Sequence, residues 1–390
     1  MNRTTPLFAL LTLIFAACST KTRPEKKAEI SSIKKNAPAL TRTSSSITIL
    51  SDIQTIDRIY PSMTGPFWTK KILLTESQEP ELLWIHSVRS IIKQENGSSP
   101  ASSQYMCHSN LDWEERPRLF HQSRMTPRMF TLSQGQLDLE LPKGFGVPIL
   151  SMEPLRLATQ ILNLHQKTGV KKVRHETRIR FSRDKELTSA ITPLTYRTLA
   201  VKVSMTGESM VLHKLSPSSL QRQARCLPGE DAGQGNVLER DKHGRQFSGH
   251  WMVPPGRHVY KTLATPQLAL RAHTKVHAVA SHLHPYAESL ALRDLTTGKT
   301  VFEAFTKNYA NSVGLKHVDS YSDPKGFEMR ADHEYEVVVT YNNTTQEKQD
   351  AMAVLYLYLA DTEFKKPNQA EIMRSLEAKP SSQPTSRPSK

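Results

Sequence analysis

Apolar and polar residues alternate one by one in short runs along most of this chain, and that period of two constrains its fold more than any other feature. Ser46–Leu50 (SITIL), Val173–Phe181 (VRHETRIRF), Leu199–Met205 (LAVKVSM), Val276–His284 (VHAVASHLH), Ser289–Arg293 and Tyr335–Tyr341 (YEVVVTY) all show it. Successive side chains of a strand point to opposite faces, so each run reads as a strand with one face in a core. Ala353–Leu359 (AVLYLYL) is almost continuously apolar, as a buried strand is. Asn96-Gly97, Pro142-Lys143-Gly144, Thr297-Gly298 and Asn342-Asn343 supply turns between the runs. Only Glu81–Gln94 (ELLWIHSVRSIIKQ) has a spacing that predicts a helix of any length. The expected class is all-β, built as sandwiches.

The two ends differ from this middle. Arg3 followed by the apolar run Leu7–Ala17 has the form of a secretory signal, and the run is far shorter than the ~20 residues a spanning helix needs. It closes on Phe15-Ala16-Ala17-Cys18, which resembles the lipobox of bacterial lipoproteins although Phe15 replaces the usual aliphatic residue. That resemblance implies cleavage before Cys18 and acylation, palmitate included, of its thiol and new amine. Two or three acyl chains anchor a protein stably. Ser19 supplies no acidic retention signal, so the expected location is the bacterial cell envelope, lipid-anchored at the outer membrane. Residues 19–45 and 365–390 are rich in Lys, Ser, Thr and Pro and read as a disordered tether and tail, the latter with a short helical segment near Glu371–Glu377. Between them the expected domains are 46–205 and 249–364, separated by a polar insertion over 206–248. The formal charge of +15 raises nucleic acid as a partner. Most of the excess lies on the two tails and the signal segment, which suits a tether near anionic lipid better than a nucleic-acid face. The expected partners are therefore the membrane, through the lipid, and a substrate of unassigned identity.

Three cysteines exclude a disulfide-dense scaffold and a four-cysteine zinc site. Nothing resembles a phosphate loop or a nucleophile elbow. What remains is histidine. His282-Leu283-His284 lies on a strand-like run, and residues two apart project to one face, so two imidazoles converge as a metal ion requires. Met352 opens the last strong strand and offers a soft thioether. Met106-Cys107-His108-Ser109-Asn110 puts a thiol beside an imidazole; neighbours on a strand face apart, so a shared site there needs a bulge or turn. His165 ends the run Gln160–His165. His175 sits on an exposed-looking basic strand, while His250, His258, His273 and His277 cluster ahead of the His-x-His pair and are expected to be structural; opposite strand parity makes His277 a poor partner for His282.

Taken in order, these pieces resemble the copper type II, ascorbate-dependent monooxygenases, the family of peptidylglycine α-hydroxylating monooxygenase and dopamine β-monooxygenase. Six segments correspond: Cys107-His108-Ser109, Leu141–Gly146 (LPKGFG), Ile161–His165, Val253-Pro254-Pro255-Gly256, His282-Leu283-His284, and Asp350-Ala351-Met352 followed by Leu355-Tyr356. The resemblance implies two tandem antiparallel, jelly-roll-like β-sandwich domains with a copper site on each. It implies that His282, His284 and Met352 hold the oxygen-activating copper, with Tyr356 in the catalytic neighbourhood. It implies an electron-relay copper on Cys107, His108 and His165, fed by an ascorbate-like reductant. Cys107 stands where the family has histidine; it is open whether it is a thiolate ligand, a disulfide partner of Cys226 or a free thiol. Ala280 and Val354 replace an Arg and an Asn that clamp a substrate carboxylate in the family, so a C-terminal glycine peptide is not the expected substrate. The implied activity is hydroxylation of a C–H bond with O₂ and a reductant. The alternative is a non-catalytic copper-binding or structural envelope lipoprotein on the same scaffold.

Overall fold

A computed structural model describes residues 40–43, 45–77, 79–114, 127–204, 238–240 and 245–377. The expected signal segment with Cys18, Cys226, most of the expected polar insertion and residues 378–390 lie outside the described residues. In chain order the first strands are β1 (Leu40–Arg42), β2 (Ser46–Leu50), β3 (Gln54–Ile56), β4 (Phe67–Ile72), β5 (Leu82–Gln94), β6 (Met106–Trp113), β7 (Arg128–Ser133), β8 (Asp138–Glu140), β9 (Phe145–Leu150), β10 (Leu155–Ile161), β11 (Lys171–Arg183) and β12 (Thr192–Ala200). There follow β13 (Val203–Ser204), β14 (Leu238–Arg240), β15 (Gln246–Ser248), β16 (Trp251–Val253), β17 (Gly256–Leu263), β18 (Thr274–Leu283), β19 (Ala287–Asp294), β20 (Lys299–Asn308), β21 (Leu315–Val318), β22 (Tyr321–Met329), β23 (Tyr335–Asn343), β24 (Gln349–Ala351) and β25 (Ala353–Ala360). Two helices join them, α1 (Thr265–Leu268) and α2 (Gln369–Glu377).

The protein is an all-β sandwich structure. One long sheet runs β1-β2-β11-β5-β9-β12-β25-β18-β22. Its first half faces the sheet β4-β10-β6-β7 across a core that includes Ile47, Ile85, Val88, Leu111, Trp113, Leu157 and Phe181. Its second half faces the sheet β17-β23-β19-β20-β21 across Val276, Val279, Leu290, Leu292, Val337, Val339 and Leu357. The halves of the long sheet meet where β9 and β12 pair in parallel, Thr192 with Phe145 and Pro193 with Gly146. β12 lies inside the range expected for the N-terminal sandwich, yet it pairs along Leu194–Ala200 with β25 of the C-terminal one.

The near-continuous apolar run of β25 has a direct cause. Leu355, Leu357 and Leu359 fill the C-terminal core, while Val354, Tyr356 and Tyr358 turn to the opposite face and join the N-terminal core. Tyr358 stacks on Phe130 with ring centroids 5.2 Å apart and donates its hydroxyl to the Met129 carbonyl at 2.9 Å. Such a pair adds about 0.5–1.5 kcal/mol beyond its buried area.

Glu81–Gln94 is a strand, not the helix its spacing predicts. β5 pairs with β11 from Val173↔Gln94 to Arg183↔Leu83, with a bulge at His86. Leu83, Ile85 and Val88 enter the core, and Leu82 and Trp84 on the other face are covered by Ile372 of α2. Apolar residues on both faces of one strand imitate helical spacing, and the long-range partner strand decides. The same contact corrects the expected C-terminal tail. Residues 369–377 form α2 and dock, with Ile372 only 3% exposed. The end of the expected tether is also a strand, β1, paired Leu40↔Ile49. Part of the expected insertion forms β14 and β15, in one sheet with β13.

Candidate metal centre

β18 carries His282 opposite Val354 and Leu283 opposite Ala353. Its even-numbered face, Ala278 and Ala280, looks toward the N-terminal sandwich, and His282 shares that parity. His284 follows directly after the strand, where the chain turns through Tyr286 at φ 71°. The two imidazoles stand edge to face with centroids 5.3 Å apart, and both are buried. The Nδ1 of His282 is buried without a hydrogen-bond partner.

His108 lies on β6 and is buried. Its pKa is pushed down to about 3 by burial first, then by Arg128, His175 and His284. His282 is held well below the usual imidazole range by burial, then by His284, His108 and His250. His108 and His282 are thereby neutral at pH 7, the form that ligates metal. β6 bulges at Cys107: Gln160 pairs with His108 but Ile161 pairs with Met106. The bulge that a thiol and an imidazole on adjacent residues would need is therefore present, and Cys107 is buried. The expected Cys107–Cys226 pairing lies outside the described residues.

His165 sits elsewhere. Its ring stacks on Tyr105 with centroids 5.7 Å apart, and its pKa is lowered by burial and by Lys171, not by another imidazole. Met352 is 4% exposed in the break between β24 and β25. The Tyr341 hydroxyl donates to its carbonyl at 2.7 Å and accepts from the His284 amide at 3.2 Å. Tyr356 is buried on the same face, opposite Ala280 and Thr198.

Two residues that sequence reasoning set aside belong to the cluster. His250, in the turn between β15 and β16, lies edge to face with His284 at 5.2 Å. Asp350, on β24, places Oδ2 3.1 Å from His284 Nδ1 and Oδ1 3.6 Å from His250 Nδ1. Among the described residues, His250, His284 and Asp350 offer ligand atoms within 4.8 Å of one another. Burial alone would raise the Asp350 pKa, but the charge and hydrogen bond of His284, with help from His250, bring it below the usual carboxylate value. Burial takes His250 down to about 4. The only sequence signal for this pair was the position of Asp350 two residues before Met352; the pairing of β16 with β24 is long-range.

The other histidines singled out in the sequence have neighbours of their own, although His175 Nε2 is buried without a hydrogen-bond partner. His175, expected on an exposed strand, is 1% exposed and its Nδ1 lies 3.0 Å from Gln54 Oε1. β11 is a central strand with β2 and β5 on either side, and the basic residues around His175 mask that. His277 packs on Phe145 at 4.3 Å, His258 contacts the Pro255 carbonyl, and His273 accepts from the Ala331 amide.

The donor set fits a transition-metal ion that favours imidazole: several buried neutral imidazoles, two orphaned ring nitrogens on His282 and His250, and one carboxylate.

No protein-family model matches the chain, and no curated protein does. Three of the solved structures that match do so weakly. The STIV MCP is 10% identical, covers 79% of this chain and 96% of its own, and superposes with a TM-score of 0.31. The Macrobrachium rosenbergii nodavirus structure is 13% identical over 88% of this chain and 96% of its own, TM-score 0.19. Cucumber leaf spot virus is 10% identical over 93% and 100%, TM-score 0.15.

Proposed function

We propose that the chain is an exported, lipid-anchored copper-binding protein whose metal lies between its two β-sandwiches. The observation that supports this most is that the buried rings of His282 and His284 stand edge to face 5.3 Å apart at the end of β18, with a nitrogen of His282 left unpartnered. His282 and His284 hold the ion, His108 adds a donor from the other sandwich, and Met352 is the nearby soft donor. Neutral imidazoles keep their lone pairs available. A bound copper would supply one-electron chemistry at this point. Lipidation at Cys18 would hold the protein at the cell envelope.

A second reading is hydroxylation of a C–H bond with O₂ and an ascorbate-like reductant, as the resemblance implies. One feature favours it: Asp350 is 36% exposed and His250 19%, so the cluster has an open side through which a small molecule can reach the metal. Elemental analysis of the purified full-length chain and its variants separates the readings. Copper that is lost in His282→Ala supports the first. Copper-dependent consumption of O₂ with a reductant adds the second. Absence of copper under both oxidising and reducing conditions removes both.

A further inference from the structure

Nothing in the motif order assigns a role to His250 or Asp350, yet the fold delivers both to the His284 ring. β16 pairs with β24, Trp251 with Ala351 and Met252 with Asp350, so the turn holding His250 and the strand end holding Asp350 are locked side by side. Ser248 Oγ accepts from the His250 amide at 3.0 Å and fixes that turn. Asp350 lies between the two Nδ1 atoms, 3.1 Å from His284 and 3.6 Å from His250. Asp350 against Nδ1 of His284 sets the tautomer of that ring and turns its Nε2 lone pair toward the Ser62 hydroxyl at 3.4 Å, while the 3.6 Å approach to His250 is a charge contact and not a hydrogen bond. The Nε2 of His250 is buried and has no partner, and so is the Nδ1 of His282. A buried polar atom without a partner costs about 1–3 kcal/mol, and His250 offers such an atom within the group His250, His284 and Asp350, whose ligand atoms lie within 4.8 Å of one another.

We propose that His250, through Nε2, is an additional imidazole ligand of the His282–His284 copper centre, and that Asp350 is the positioning carboxylate that orients both His250 and His284. This rests on the copper reading above. It makes the centre richer in nitrogen than a two-histidine, one-methionine site, and a nitrogen-rich set shifts preference from Cu(I) toward Cu(II). Asp350 also places one negative charge beside a dication whose imidazole ligands are neutral.

The test is titration of the full-length protein with Cu(II), read by affinity and by pulsed electron paramagnetic resonance, which counts coupled imidazole nitrogens. His250→Ala and His250→Gln are both made; the Gln variant keeps a polar side chain at the turn, so loss of packing and loss of a ligand separate. The expected result is one fewer coupled imidazole in each His250 variant. Asp350→Ala is expected to bind about 10–100-fold more weakly with a broadened spectrum, and Asp350→Asn, which can still accept one hydrogen bond, to fall between. Unchanged nitrogen count and affinity in both His250 variants overturns the inference. So does copper lost outright in Asp350→Ala while the His250 variants bind like wild type, which would make Asp350 itself the ligand. Copper that binds wild type, is lost in His282→Ala and ignores His250 overturns this inference alone. Copper that never binds wild type overturns the copper reading as well.

Discussion

The hydroxyl of Tyr341 lies 3.2 Å from the backbone amide of His284 and hands its own proton to the Met352 carbonyl at 2.7 Å. One phenol on β23 thereby joins two motif segments that are far apart in sequence. It is fully buried, and burial pushes its pKa up, so it stays a neutral donor across the working pH range. Tyr341→Phe leaves an amide and a carbonyl unpaired in the interior. The expected loss is about 1–3 kcal/mol in unfolding free energy, seen as a lower denaturant midpoint. Copper affinity should fall in parallel, because His284 loses its anchor; unchanged affinity would show that β18 alone fixes the ring.

His108 and His165 should behave differently. His108 shares electrostatic effects with His282 and His284, whereas His165 is stacked on Tyr105. The proposal of a single centre therefore expects His108→Ala to weaken copper binding and His165→Ala to leave the metal content at wild-type level. Metal analysis of both variants decides it. Loss of a separate equivalent of copper in His165→Ala would restore a two-site arrangement.

Acid should unfold the metal-free protein through buried histidines. His175 is held down to about 3 by burial, opposed by the backbone at Gln160, against an ordinary value of 6.5. A depressed imidazole means that the unfolded chain binds more protons below pH 6.5. Stability is thus complete above about 6.5 and falls as pH drops toward 3, by up to ~1.4 kcal/mol per pH unit for each such group. His108, also at about 3, adds to the slope. Urea midpoints measured from pH 7 to pH 4 check this, and His175→Gln should flatten the dependence. A midpoint that is level over that range counts against it.

The docked C-terminal helix can be tested by itself. Ile372 packs on Leu82, Trp84 and Leu150, and Gln369 donates to the Pro80 carbonyl at 3.0 Å. Ile372→Ala is expected to cost about 2 kcal/mol, the low end for a buried aliphatic, since the helix lies at the periphery. Deleting residues 369–377 should expose Trp84 and redden its fluorescence.

A substitution at Gly65 would strike the frame of the site. A Cβ there would stand 2.0 Å from the Ile161 carbonyl, and Ile161 pairs with Met106 beside the Cys107 bulge. The contact is with backbone, which cannot swing aside. Gly65→Ala should therefore lower both the thermal midpoint and copper affinity, and an unaltered pair of values would contradict the packing.

Alternation made the class and most of the strands legible, because period two is a local signal. His282 and His284 were legible for the same reason: their convergence depends only on one strand. What could not be read depended on partners distant in sequence. β5 looked helical because α2 covers its second face. His175 looked exposed because nothing local shows that β11 is central. His250 and Asp350 meet only through the β16–β24 ladder, and no spacing along the chain announces a pairing a hundred residues apart.

The strand that joins the two halves is made after both of its neighbours. β25, residues 353–360, lies between β12 and β18, and until it arrives each of those has an open edge where its central neighbour belongs. A nascent chain that stops short of β25 can build much of each sandwich but cannot close them on one another. His282 and His284 would then be in place on an unfinished wall. Assembly of the seam is thus a late event in biogenesis, and premature termination anywhere before Ala360 should leave a chain whose sticky edges invite pairing with other molecules.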